Sequence, residues 1–183
     1  MSNCPLVWII MGVSGSGKTV VGRLLSEWLE SDFLEGDRRH SRSNIIKMQS
    51  QMPLDDGDRH QWLLELEADI QRAVTKNRET VLTCSALKAS YRQQLTALER
   101  VQLVWLNVPR PDLQCRLLRR ANHYMQPDML NSQLATFEPI GPEENVITID
   151  GRLLPAKIVD ELLSQATWLY PGLEKSWWQR LAT

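Results

Sequence analysis

The sequence predicts a three-layer α/β fold, in which a five-stranded and mostly parallel sheet is flanked by helices. Across the 183 residues, short apolar segments typical of buried strands alternate with longer segments whose apolar residues recur at helical spacing. This alternation indicates right-handed crossovers between parallel strands. A glycine-rich stretch directly after the first strand supports the same class, because such sheets bind ligands beyond the carboxyl ends of their strands.

The predicted elements fill the chain, and no linker separates two domains. Strands are predicted at residues 7–11, 32–35, 80–84, 101–107 and 146–150. Helices are predicted at residues 18–30, 44–50, 58–76, 87–98, 112–120 and 155–168, and the stretch from 121 to about 137 is predicted to be loop-like. Residues 1–166 therefore form one domain, and the polar residues that follow its strands are expected to converge on one cleft.

The composition argues against several classes of protein. A formal net charge of −1 and a pI near 6.3 leave no broad basic surface for nucleic acid. The apolar run at Val7–Met11 is far shorter than a membrane span of about 18 residues, and no signal peptide is recognisable. Cys4, Cys84 and Cys115 form neither a CxxC motif nor an even set for disulfides. We therefore expect a cytoplasmic protein without nucleic-acid or membrane partners.

Residues 12–19 fit the phosphate-binding pattern G-x-x-x-x-G-K-[ST] at every fixed position, between a predicted strand and a predicted helix. The glycines let backbone amides approach a polyphosphate, and the helix N-terminus adds a positive dipole end. Lys18 is expected to reach the β- and γ-phosphates of ATP, and the Thr19 hydroxyl to bind Mg²⁺. A simple glycine turn, the alternative, would not require lysine followed by threonine. The predicted nucleotide-binding residues are Gly12, Val13, Ser14, Gly15, Ser16, Gly17, Lys18 and Thr19.

Other features favour a small-molecule kinase over a GTPase. The chain has no N-K-x-D guanine-recognition motif and no D-x-x-G switch after the third strand. That strand ends in Cys84-Ser85-Ala86 rather than in the aspartate that usually positions magnesium. A small kinase that positions magnesium differently fits this pattern better.

Seven stretches occur in order along the chain: M-G-V-S-G-S-G-K-T (11–19), G-D-x-x-H (36–40), N-x-x-K-M (44–48), P-L-x-D-x-D-R (53–59), W-L (62–63), C-S-A-L-K-x-x-Y-R (84–92) and S-Q (132–133). Together they resemble the P-loop gluconokinases, relatives of shikimate kinase and the nucleoside monophosphate kinases, over about residues 5–165. The resemblance implies transfer of the ATP γ-phosphoryl group to the 6-hydroxyl of D-gluconate, which yields 6-phospho-D-gluconate. It also implies a P-loop NTPase fold with a mobile lid, at about residues 121–138.

The predicted acceptor site follows from this resemblance and from the chemistry of a sugar acid. Its hydroxyls and carboxylate require acidic hydrogen-bond acceptors together with arginine or lysine. Asp37 is the candidate to orient or deprotonate the attacking hydroxyl, although aspartate is also a favoured N-cap. His40 is alternatively a packing residue, Arg59 a surface ion-pair partner, and Lys88 a solvated lysine. The predicted substrate-binding residues are Asp37, His40, Arg42, Arg59, Ser85 and Lys88.

Two arginines are candidates to offset charge on the transferring phosphoryl group. Arg116 and Arg120 share one helix face at spacing i, i+4 and match the lid arginines of the family. The alternative is a solvated helix face, and Arg110 and Arg119 are second candidates. The predicted catalytic residues are Lys18, Asp37, Arg116 and Arg120.

Departures from the family pattern surround the acceptor pocket. Ser41 and Gln61 stand where the family usually has proline. They leave open a kinase of another small sugar acid, a polyol or a nucleoside monophosphate. The alternative of another class is a regulatory module that binds nucleotide without transferring phosphate.

The C-terminal stretch, residues 167–183, contains three of the seven tryptophans: Trp168, Trp177 and Trp178. We expect it to pack on the same domain. A homodimer contact is the alternative, because aromatic residues are enriched in interface cores.

Overall fold

The fold is built around one sheet of five strands. These are β1 (Val7–Met11), β2 (Asp32–Glu35), β3 (Thr80–Cys84), β4 (Val101–Asn107) and β5 (Val146–Asp150). The computed structural model describes residues 6–119, 127–171 and 173, and its sheet has the order β2-β3-β1-β4-β5 with every neighbouring pair parallel. The predicted fold class and all five strand positions are therefore confirmed.

Helices connect the parallel strands and cover both faces of the sheet. In the described part of the chain they are α1 (Lys18–Leu29), α2 (Arg42–Gln49), α3 (Asp56–Thr75), α4 (Ala89–Leu95), α5 (Arg110–Leu118), α6 (Pro127–Thr136) and α7 (Pro155–Leu169). A short 3₁₀ helix, Gly36–Arg39, follows β2. Because parallel strands need crossovers, this alternation places α1 beside the sheet immediately after the glycine-rich loop.

Helix α6 contradicts the prediction that residues up to about 137 are loop-like. Pro127 occupies the start of the helix, where the missing N–H costs no hydrogen bond. Leu130 is fully buried, and Leu134 packs one turn later against the same cluster, which includes Val13 of the glycine-rich loop. Packing against the loop stabilises this helix, which is too short to be stable alone.

The core lies on both faces of the central strand β1, whose five residues are all buried. Trp8 and Ile10 point toward a cluster that includes residues of α1 and α7, such as Leu25 and Leu162. The alternate residues of β1 point toward a cluster formed with α3 and α4. This two-sided burial explains why β1 is uniformly apolar rather than alternating.

After α7 the chain continues along the same core, since Tyr170 and Leu173 pack against the cluster of α1 and α7. Trp168 is 81% exposed. Trp177 and Trp178 lie outside the described residues, so packing of the whole tail stays a prediction. Among the described helices, none has the length and apolar character needed to cross a bilayer.

Candidate active site

The glycine-rich loop has the backbone geometry of an anion cradle. Gly12 and Gly17 adopt φ values of 144° and 100°, which residues with a side chain rarely adopt. A Cβ atom at Gly12 would lie 2.9 Å from the Ser16 hydroxyl oxygen. Gly17 is the N-cap of α1 and gives no side-chain cap, so the first amides of the helix remain available to an anion.

The lysine of the loop folds back over it. The Lys18 ammonium donates a hydrogen bond of 3.0 Å to the Val13 carbonyl oxygen. This contact holds the positive charge above the amides of the loop, where polyphosphate oxygens are expected.

A carboxylate that sequence reasoning did not single out lies beside the threonine of the loop. The Thr19 hydroxyl donates to Glu35 Oε1 at 2.9 Å. The other oxygen of Glu35 forms an ion pair with the Arg38 guanidinium at 3.2 Å. Glu35 ends β2 and precedes Asp37 by two residues. The signal that could have found it is the pair of carboxylates at one strand end, where polar site residues are expected.

The loop and the end of β2 form opposite walls of one cleft with a volume of about 350 Å³. Asp37 is exposed in this cleft and does not cap α2, because Ser41 is the N-cap and accepts the Asn44 amide at 3.2 Å. The structure thus brings Asp37 together with the loop, as expected. The cleft is lined by Ser14, Gly15, Gly17, Lys18, Thr19, Glu35, Asp37, Arg38, Ile45 and Met48.

The oxygen atoms in this cleft fit a magnesium ion. The Thr19 hydroxyl, the Glu35 carboxylate and Asp37 lie along the same walls, and hard divalent cations prefer oxygen ligands. The described residues contain no cluster of three or more His, Cys, Asp or Glu side chains that could hold a metal alone. Magnesium suits such a site, because it usually keeps several waters and shares substrate phosphates.

His40 lies behind Asp37 and is stacked on Trp62, with ring centroids 4.7 Å apart and planes at 7°. Burial lowers its pKa to about 4; Asp37 opposes this shift and Arg59 adds to it. The ring is therefore neutral near neutral pH. Its Nδ1 is buried and has no hydrogen-bond partner among the described residues.

Trp62 fixes the turn that carries Asp37. Its indole nitrogen donates to the Gly36 carbonyl oxygen at 2.9 Å, and the side chain is 1% exposed. Sequence reasoning used this tryptophan only as part of a family motif. Trp62 belongs to α3, and only the folded structure shows that it lies against the turn after β2.

The turn after β3 faces the start of α3 through an ion pair. The Lys88 ammonium lies 2.7 Å from both oxygens of Asp56, and the Tyr91 hydroxyl also donates to this carboxylate. The hydrogen bond from Lys88, and after it the bond from Tyr91, lowers the pKa of Asp56. Burial and the bond to Asp56 raise the pKa of Tyr91 to about 12. Lys88 is thus an ion-paired residue rather than a solvated lysine.

Arg59, Ser85 and Arg42 occupy different positions relative to the cleft. Arg59 is half-buried on α3, and its charge acts on both His40 and Asp56. The Ser85 carbonyl oxygen accepts the Gly12 amide at 3.4 Å, which joins the turn after β3 to the loop. Arg42 is exposed at the first position of α2. Of the six predicted substrate-binding residues, only Asp37 is among the residues that line the cleft. The structure therefore brings Ser85 to the loop but not Arg42.

Arg116 joins the loop from the opposite side. Its guanidinium donates to the Gly151 carbonyl oxygen at 2.7 Å and to those of Gly15 and Ser16 at 3.4 and 3.3 Å. It borders a second, more apolar cleft of about 310 Å³. That cleft is lined by Gly15, Ser16, Gly17, Val20, Val21, Arg116, Arg119, Gly151, Leu153, Pro155 and Ile158.

Helix α6 contacts the phosphate loop through Gln133, a residue of the S-Q motif. Gln133 Oε1 accepts the Ser14 amide at 2.6 Å. Arg110 donates to Asn131 of the same helix at 2.8 Å. The range predicted to be a lid, about residues 121–138, includes α6. Arg120 and residues 121–126 lie outside the described residues.

Comparison with known proteins decides the family. The model of an AAA domain family matches residues 7–140. A gluconokinase of Gluconobacter oxydans is 40% identical over 87% of this chain and 90% of its own length. The solved structure of a gluconokinase from Sinorhizobium meliloti superposes with a TM-score of 0.81 at 36% identity, covering 94% of this chain and 97% of that one. This chain belongs to the gluconokinase family.

More distant members of the same fold are also recognisable. Shikimate kinase from Aquifex aeolicus superposes with a TM-score of 0.57 at 15% identity over 87% of this chain and 94% of that one. At that identity the likeness concerns the fold alone. This chain thus shares its fold with a shikimate kinase, as the resemblance in the sequence implies.

Proposed function

We propose that this protein is a gluconokinase, which transfers the γ-phosphoryl group of ATP to the 6-hydroxyl of D-gluconate. The observation that carries this proposal is the cleft that joins Lys18 and Thr19 of the phosphate loop to Asp37 at the end of β2. The similarity to gluconokinases over most of the chain supports gluconate as the acceptor.

The nucleotide fits two adjoining clefts. The amides of the loop and the Lys18 ammonium would hold the phosphates, while the apolar wall formed by Val20, Leu153 and Pro155 suits a purine base. Magnesium would be held by Thr19, with Glu35 orienting the threonine hydroxyl. When bound, it neutralises charge on the phosphate oxygens.

The acceptor would lie on the α3 side of the cleft. Asp37 would accept the proton of the attacking hydroxyl and align that hydroxyl with the γ-phosphorus. Neutral His40 can exchange hydrogen bonds with sugar hydroxyls without adding charge. The acid group of the sugar suits the cationic groups Arg59 and Lys88, with Ser85 and Arg42 as further predicted contacts.

Arg116 would act on the nucleotide side of the transferred group. It is held by three carbonyl oxygens, so its guanidinium is pre-oriented beside the loop. Charge that develops on the phosphoryl oxygens would be stabilised there, and Arg120 remains the second predicted arginine.

The cellular setting is also a prediction. The cysteine pattern of the sequence, without a CxxC motif or an even number, is the support for a reducing, cytoplasmic compartment. For the C-terminal stretch, packing on the same domain remains the prediction, and a homodimer contact remains its alternative.

The test is ADP release from Mg-ATP by the purified protein, with D-gluconate and with a panel of other sugar acids, polyols, AMP, CMP and UMP. We expect release that depends on gluconate and falls by about 100-fold or more in Asp37→Asn, the size of a lost general base. Asp32→Asn, at the other end of β2 in an exposed ion pair with Arg78, is the matched control. If ADP is released with another compound of the panel and not with gluconate, that compound is the acceptor. If the protein binds ATP but transfers phosphate to no compound, a regulatory module is favoured.

A further inference from the structure

A fully buried arginine lies outside the cleft. Arg92 on α4 is 0% exposed, although burying a charge is costly unless it is paired and hydrogen-bonded. A guanidinium has five N–H donors, and each of the three nitrogens of Arg92 makes bonds that together account for all five. Such complete satisfaction requires the planar fork of arginine, which lysine cannot reproduce.

The partners of Arg92 belong to separate segments. One terminal nitrogen donates to the carbonyl oxygens of Leu87 and Glu138 at 3.0 and 3.1 Å, and the other donates to that of Pro139 at 3.2 Å. The remaining two bonds go to the carboxylate of Glu144, at 2.5 and 2.8 Å. Arg92 therefore joins the turn after β3 to the chain that leaves α6.

Two further bonds hold the same junction. The Glu138 amide donates to the Leu87 carbonyl oxygen at 2.9 Å, and the Glu138 carboxylate accepts the Ala89 amide at 2.6 Å. Within the turn, Ala86 has a φ of 43°, a conformation that an alanine keeps only when its surroundings impose it. The junction thus imposes one conformation on the turn that carries Ser85 and Lys88.

Both joined segments contact the phosphate loop. The turn touches the phosphate loop where Ser85 accepts the Gly12 amide. Helix α6 touches it where Gln133 accepts the Ser14 amide. A single buried side chain therefore connects the acceptor side of the cleft with a helix that contacts the phosphate loop.

We propose that Arg92 is a positioning residue for phosphoryl transfer: it sets the acceptor turn, residues 85–88, relative to the phosphate loop without touching either substrate. Its effect rests on the proposed function, because it concerns how the acceptor is aligned with the γ-phosphoryl group. Misplacement by about 1 Å suffices to lower a transfer rate by up to about 100-fold.

The experiment compares Arg92→Lys with the wild type in acceptor kinetics, in direct binding of Mg-ADP and in thermal unfolding. We expect kcat/KM for the acceptor to fall roughly tenfold to 100-fold, while the Kd for Mg-ADP changes by less than about twofold because the loop itself is intact. Arg78→Lys is the matched control, since Arg78 is 62% exposed and forms one ion pair with Asp32. It should leave all three quantities unchanged.

A purely structural role predicts a different pattern. If folded Arg92→Lys keeps the acceptor kinetics of the wild type, or loses acceptor kinetics and Mg-ADP affinity to the same extent, the proposal is wrong. If Arg92→Lys does not fold, Glu138→Gln serves instead: Glu138 is exposed, and the exchange weakens only its bond to the Ala89 amide. The same selective loss of acceptor kinetics, of smaller size, is then expected, and its absence overturns the proposal.

The two proposals fail in different ways. If the wild type transfers phosphate to another panel member and not to gluconate, the acceptor assignment fails, and Arg92→Lys is tested with the acceptor that is used. If the wild type transfers phosphate to no acceptor, both proposals fall.

Discussion

Glu35 and Asp37 stand two residues apart at the end of β2, and their neighbours give them different roles. Glu35 accepts the Thr19 hydroxyl and pairs with Arg38, so it is committed to orienting other groups. Asp37 is exposed in the cleft and its carboxylate can meet a substrate. In the proposed reaction, Glu35 would therefore serve the metal side and Asp37 the acceptor hydroxyl.

Replacing Glu35 by glutamine is expected to raise the Mg²⁺ concentration at half-maximal rate. Because residues that orient a metal ligand typically contribute about 10- to 100-fold to metal affinity or activity, a shift of that size is expected. The measurement is a Mg²⁺ titration of the gluconate-dependent rate. Glu27→Gln, on the exposed face of α1, is the control, and an unchanged Mg²⁺ requirement in Glu35→Gln would show that Glu35 does not act on the metal.

His40 makes stability depend on pH. Its pKa is lowered from 6.5 to about 4 in the folded protein, so the unfolded chain binds more protons between these values. Stability is therefore fully present above about pH 6.5 and is lost progressively as the pH falls toward 4, by up to about 3 kcal/mol. Urea unfolding at about pH 5 and about pH 7.5 should show a smaller pH-dependent loss for His40→Gln than for the wild type. An equal loss in both proteins would contradict the assignment to His40.

At the scale of elements, α1 is placed by a glycine that packs on the sheet. A Cβ atom at Gly22 would lie 2.5 Å from the Thr83 methyl group and 3.0 Å from the Phe33 ring. Close approach brings the helix that begins with Lys18 and Thr19 directly against β3. The position of the phosphate-binding residues therefore depends on this contact.

Gly22→Ala is expected to destabilise the protein although alanine favours helices. The gain in helix propensity is about 1 kcal/mol, whereas overpacking a core costs about 1–3 kcal/mol, so a net loss of up to about 2 kcal/mol is expected. Urea denaturation measures it. Thr83→Ser removes the methyl group that the new Cβ atom would contact. The double variant should therefore lose less stability than the sum of the losses in the two single variants. A Gly22→Ala protein as stable as the wild type would mean that α1 moves away without cost.

Sequence patterns predicted some elements better than others. All five strands were predicted with their bounds. Four are short, mostly apolar segments, and the fourth residue of β2 is followed directly by the turn residues Gly36 and Asp37. Helix α4 is shorter than the predicted 87–98. Its N-cap is Lys88, whose backbone is extended with φ −94° and ψ 147°, so the helix begins at Ala89. Helix α6 was missed because its packing against Val13 joins residues far apart in sequence. Local pattern therefore sufficed for the sheet but not for helices that tertiary contacts stabilise.

The candidate site shows the same division at the scale of the whole molecule. Residues 12–19 and Asp37 were predictable, because a motif and a strand end mark them. The contacts of Thr19 with Glu35 and of Arg92 with Glu138 depend on how strands and helices are ordered in space. A local sequence pattern does not specify how strands and helices are arranged in space, so only the folded structure identifies these partners.

Because the loop, the sheet and both core clusters share β1, nucleotide binding is expected to stabilise the domain as a unit. Ligand at about 100 times its Kd adds about 2.7 kcal/mol. A chain of this size gains about 2–4 °C in Tm per kcal/mol, so Mg-ADP should raise the Tm by about 5–10 °C. Thermal unfolding of the wild type and Lys18→Met measures this, with Lys157→Met, at an exposed position of α7, as the control. The shift should shrink in Lys18→Met and persist in the control, because only Lys18 lies over the loop; equal shifts in all three proteins would place the nucleotide elsewhere.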